Sequence, residues 1–199
     1  VVRRTEAEAY LISAREASAL RSVVGIATAI EAAMHAIELD PRFAQAWSAL
    51  AEFRLIQAAR GIAPQRAAGE AAIAAADEAL AIDPVCAPAL AARGFVRATI
   101  ESDPARGLPD LDRSIVIDPS YWTARGLRGW ALLAAGRMGE AVAEVIAAAE
   151  LNPWSPWYSG MPAHYLFLAG KLDDALARGR DAARRFPESD YAHHALSQI

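Results

Sequence analysis

Few side chains in this sequence have the chemistry to act as metal ligands or nucleophiles: His35, His164, the adjacent His193 and His194, and the single Cys86. Two histidines side by side suggest a metal site. On a helix, however, neighbours point about 100° apart, and one ion needs them four residues apart. Asp190 and His194 have that spacing, but two ligands are too few for a zinc centre. One cysteine allows neither an internal disulfide nor a cysteine-based metal site. His35 and His164 have no acid or nucleophile at a useful spacing. The sequence also lacks a Gly-rich phosphate loop, a nucleophile elbow and a His-Glu-x-x-His pair. The expectation is a non-enzyme with no metal and no cofactor.

Arg93 and Arg128 are candidate anion binders. The alternative, which the sequence favours, lays each Arg stem over its neighbours and pairs the head with a nearby acid. The formal net charge of −4 argues against a basic stripe for nucleic acid. With 54% hydrophobic and 22% charged residues, the chain can bury a core and is not of disordered composition. No stretch approaches the roughly 18 apolar residues of a membrane span. A lone cysteine and the absence of a span suit a cytoplasmic setting. Because the chain starts at Val1 without a Met, it is expected to be part of a longer protein.

The elements that must position these residues are helices, set by an internal repeat. Ile37-Glu38-Leu39-Asp40-Pro41 recurs as Leu80 to Pro84, Ile115 to Pro119, Ala149 to Pro153 and, more weakly, Arg185-Phe186-Pro187. Successive prolines (Pro41, Pro84, Pro119, Pro153 and Pro187) are 43, 35, 34 and 34 residues apart. Pro disfavours helix in the residue before it, so each Asp-Pro ends a helix. Inside the unit, Gly129-Trp130 leads through Gly136 to Glu140-Ala141, and a similar run leads through Gly170 to Asp174-Ala175. Trp47-Ser48-Ala49-Leu50-Ala51 opens the second unit, while Arg93-Gly94 and Arg128-Gly129 mark the third and fourth. A small residue in mid-helix lets two helices touch. Gly136 and Gly170 suit a left-handed helix end that is costly for residues with a β-carbon.

This pattern resembles the tetratricopeptide repeat, a helix-turn-helix unit of about 34 residues. The resemblance implies an all-α, right-handed α-solenoid over residues 1–199. Its five repeats would run approximately 6–41, 42–84, 85–119, 120–153 and 154–187, with a capping helix at 188–199. Helices are expected near 6–21, 26–39, 42–59, 65–82, 85–101, 104–117, 120–135, 137–151, 156–169, 171–186 and 189–198. The structural positions are Trp47, Gly94, Gly129, Gly136, Ala141, Gly170, Ala175 and the five prolines. Two departures stand out. The second repeat has nine residues too many, expected around Arg60–Pro64, and Pro162 interrupts the first helix of the fifth repeat, where a kink is expected.

In tetratricopeptide proteins the first helices of successive repeats line a groove that receives a partner segment. Carried over by motif, the groove positions are Ala14, Ser18 and Arg21, then Gln45, Ser48 and Glu52, then Ala91 and Phe95. The last two repeats contribute Gly126, Trp130 and Leu133, and Trp157, His164 and Phe167. These positions lack the Lys, Asn and Arg of the chaperone-binding subfamily, so no carboxylate clamp is expected. The binding candidates are Phe95, Trp130, Leu133, Trp157, His164 and Phe167, and they suit an apolar or amphipathic protein segment or self-association. The long second repeat, Glu8-Ala9-Tyr10-Leu11 and Trp154-Ser155-Pro156-Trp157 also resemble a narrower group. These are the C-terminal repeat regions of bacterial signalling proteins, including winged-helix activators of the ToxR/CadC type and class III nucleotide cyclases. That resemblance implies a regulatory or sensor region. Alternatives are a small-molecule sensor with a pocket at the Pro162 kink, and a stand-alone chaperone or scaffold.

Overall fold

The computed structural model describes residues 2–19 and 22–197. In chain order the helices are α1 Val2–Ala19, α2 Val23–Leu39, α3 Ala44–Ala59, α4 Gln65–Ile82 and α5 Ala87–Phe95, the last continued by a π-helical turn, Val96–Ile100. They are followed by α6 Pro104–Ile117, α7 Trp122–Ala134, α8 Met138–Leu151, α9 Pro156–Leu168, α10 Leu172–Arg185 and α11 Asp190–Ser197. No strand occurs among the described residues, and no helix among them is long and apolar enough to cross a membrane. Two compact units are distinguished, Val1–Ile117 and Asp118–Ile199. The first holds the pairs α1–α2, α3–α4 and α5–α6; the second holds α7–α8, α9–α10 and α11.

Within a pair the helices pack through small residues. A β-carbon on Gly94 of α5 would lie 2.7 Å from the carbonyl oxygen of Gly107 in α6, and one on Gly107 would strike the Gly94 carbonyl in return. In the next pair a β-carbon on Gly129 would come within 2.6 Å of Val145. Elsewhere alanine serves: Ala51, Ala72, Ala141, Ala163 and Ala175 are all fully buried.

One turn recurs inside the pairs. Two residues beyond the first helix the chain enters the left-handed region, at Gly61 (φ 64°), Ser102 (φ 56°), Gly136 (φ 74°) and Gly170 (φ 74°). The next amide then reaches back to the helix, as from Arg137 to the Leu132 carbonyl and from Lys171 to that of Leu166, both at 2.9 Å. Ser102 is the one residue of the four that bears a β-carbon. A second turn recurs between pairs, closed by amide-to-carbonyl bonds such as Phe43 to Asp40, Cys86 to Asp83 and Tyr121 to Asp118. The Asp of each Asp-Pro also accepts from the amide two residues on, at Arg42, Val85 and Ser120. It therefore shapes the turn as well as ending the helix.

The irregular repeat lengths have distinct physical causes. Fifteen residues separate Ala87 from Ser102, against fourteen from Trp122 to Gly136 and from Pro156 to Gly170. The odd residue of the 35-residue repeat is taken up by the π-helical turn, the usual way a helix absorbs a single insertion. A plain helix expected over 85–101 is corrected accordingly. In the second repeat the nine extra residues are not confined to the loop. Compared with α7 and α8, α3 is longer by three residues and α4 by four, and the connection by two. Gly69, in the lengthened α4, packs against Val96 and Ile100 of the π-helical turn. Helix α9 runs through Pro162 as a single helix, and Met161, Pro162 and Ala163 are buried. Pro109 lies inside α6, within the helix expected over 104–117.

Ser102 generates a prediction. A non-glycine residue in the left-handed region carries a cost of about 1–2 kcal/mol, partly offset by the greater unfolded-state freedom of glycine. Ser102→Gly should stabilise the chain by about 0.5–1 kcal/mol in urea unfolding, and Gly136→Ser should destabilise it by a similar amount. Equal midpoints for both variants and the parent would show that these turns carry no strain.

Candidate functional site

The groups with chemical potential do not assemble into a centre. Cys86 is buried, and burial pushes its thiol above the usual range, away from reactivity. The imidazole of His35 lies 3.2 Å from Glu38 and its ring 5.5 Å from that of Tyr10, in a shallow depression also lined by Arg3, Glu6 and Leu39. His193 Nε2 sits 2.8 Å from the Pro187 carbonyl oxygen, and the side chain of His194 lies outside the described residues. No group of three or more potential metal ligands occurs among the described residues.

The arginines are tied down. Arg93 donates from Nε and Nη2 to both oxygens of Asp110, at 2.8 and 2.9 Å, and from Nη1 to Asp77 at 2.7 Å. Arg97 donates to the same Asp110 at 2.9 Å. Asp110 thus holds the Arg93 guanidinium even more firmly protonated than usual. In the following repeat Arg128 and Arg125 both donate to Glu144, at 3.0 and 3.3 Å. Each cluster clamps the first helix of a repeat to the second, while Nε of Arg97 and of Arg125 is buried without a hydrogen-bond partner among the described residues.

The predicted groove positions divide by burial. Ala14, Ser48, Ala91 and Phe95 are core, as is Gly126. Phe95 is 9% exposed, which corrects its assignment as a binding candidate: it faces the interior of the first unit. Gly126 is covered by the ring of Tyr158 from α9, and Ser48 donates to the Gln45 carbonyl. Ser18 and Glu52 are half-buried and Gln45 is exposed, while Arg21 lies outside the described residues. Trp47 donates its indole N–H to the Pro41 carbonyl at 3.0 Å.

In the second unit the remaining candidates lie on α7 and α9 and keep part of their surface exposed. Trp130 is 38% exposed, and Leu133, Trp157, His164 and Phe167 are half-buried. Helices α7 and α9 meet through two side-chain contacts. Tyr158 lies over Gly126, with its ring 4.6 Å from that of Trp122, and Trp130 stands edge-on to the buried Tyr165, at 6.1 Å and 84°. Trp157, His164 and Leu168, seven and then four residues apart, form one stripe along α9. Leu168, 45% exposed, was missed in the sequence. Its spacing of four from His164 is the signal that could have found it.

Comparison with solved structures is decisive for the fold. TTC0263, a thermophilic tetratricopeptide protein of Thermus thermophilus, superposes with a TM-score of 0.76 at 18% identity, over 96% of this chain and 97% of that one. The chain has the tetratricopeptide-repeat fold. YrrB, described as a tetratricopeptide protein with an unusual peptide-binding site, matches with a TM-score of 0.56 at 20% identity, covering 96% of this chain and 91% of its own. PilF of Pseudomonas aeruginosa matches at 0.62 and 18% identity, over 100% of this chain and 92% of that one. No protein-family model matches the chain, and no curated protein does. On this tetratricopeptide framework the α7–α9 surface lies on the first helices of the fourth and fifth repeats.

The arginine clusters yield the prediction here. Asp110 is 15% exposed and faces two guanidinium groups, so Asp110→Ala leaves two nearly buried positive charges opposed. Its cost should be about 2–4 kcal/mol in urea unfolding, against less than about 1 kcal/mol for Asp77→Ala, whose side chain is 50% exposed. Similar losses for both would mean that Asp110 is no more central than a surface pair.

Proposed function

We propose that this chain is a non-catalytic protein-interaction module that holds an apolar segment of a partner protein against the α7–α9 surface. The observation that carries this reading is Trp130, a tryptophan standing partly in solvent beside the ring of Tyr165. Leaving so large an apolar ring in water is unfavourable, and Trp is among the residue types that dominate interface energetics. The peptide-binding site in the description of YrrB, a structural neighbour, lends support. The arginine heads are engaged with carboxylates, which leaves apolar contact as the principal source of affinity.

A place within a larger bacterial regulatory or signalling protein is a second reading. It draws on the resemblance of Glu8–Leu11 and Trp154–Trp157, and the reading frame upstream of Val1 tests it.

Selection of a random peptide library on the immobilised chain tests the binding reading. Recovered peptides should be rich in apolar residues, and Trp130→Ala should weaken them about thirtyfold, equivalent to roughly 2 kcal/mol, with helicity unchanged by circular dichroism. Phe95→Ala should instead cost about 3 kcal/mol of stability as a core truncation. Peptides that bind Trp130→Ala as well as the parent would place the interaction elsewhere.

A further inference from the structure

We draw no further inference here: the strongest candidate, the surface patch where the arginine-rich end of α10 reaches the turn bearing the exposed Trp154 through a hydrogen bond from Arg185 to the Pro153 carbonyl, carries nothing, because nothing in the structure shows what covers it.

Discussion

In the third repeat the backbone of α5 runs directly against the backbone of α6, Gly94 against Gly107, with no room for a β-carbon on either. The rest of the structure follows from this demand that paired helices touch. Close contact requires a small residue at one position in each helix and a tight turn between them. The tight turn in turn requires the left-handed residue found at Gly61, Ser102, Gly136 and Gly170. With the helices this near, an arginine on the first can reach a carboxylate on the second, and it does so in two successive repeats through Asp110 and Glu144. In the fifth repeat Pro162 and Arg178 occupy the corresponding positions. There the packing of Met161, Pro162, Ala163 and Tyr165 into the core takes over.

The same limit on side-chain volume shapes the candidate surface. Gly126 leaves room for the ring of Tyr158, which a β-carbon there would strike. Trp130 then rests its edge on Tyr165 and keeps part of its surface in water. The arginines of α7 both turn to Glu144, and two guanidinium groups on one carboxylate leave the cluster net positive.

Much of this was legible in the sequence because the constraint repeats. The Asp-Pro spacing located the repeats, and Gly136 and Gly170 marked turns that the structure closes with φ of 74°. The spacing of 35 residues also contained the π-helical turn, but an insertion of one residue can be absorbed anywhere in a repeat, and periodicity does not say where. The nine extra residues of the second repeat were assigned to its Gly-Pro loop, yet alanine-rich flanks extend helices readily, and most of the length went there. Phe95 was misread because the motif fixes its angular position but not what packs over it, and the structure buries it. At the candidate surface, side-chain type and spacing pointed to Trp130, Trp157 and His164. Exposure depends on neighbours distant in sequence, such as Tyr158 and Tyr165, and no local pattern encodes it.

The account's central claim is that the fold offers its binding surface on α7 and α9, apart from the polar faces of the second helices. The most direct measurement is a structure of the chain bound to a library-selected peptide. The predicted result is a peptide in contact with Trp130 on α7 and with His164 or Leu168 on α9. A peptide seated on α8 and α10, or on the first unit, with Trp130 still in solvent, would contradict it.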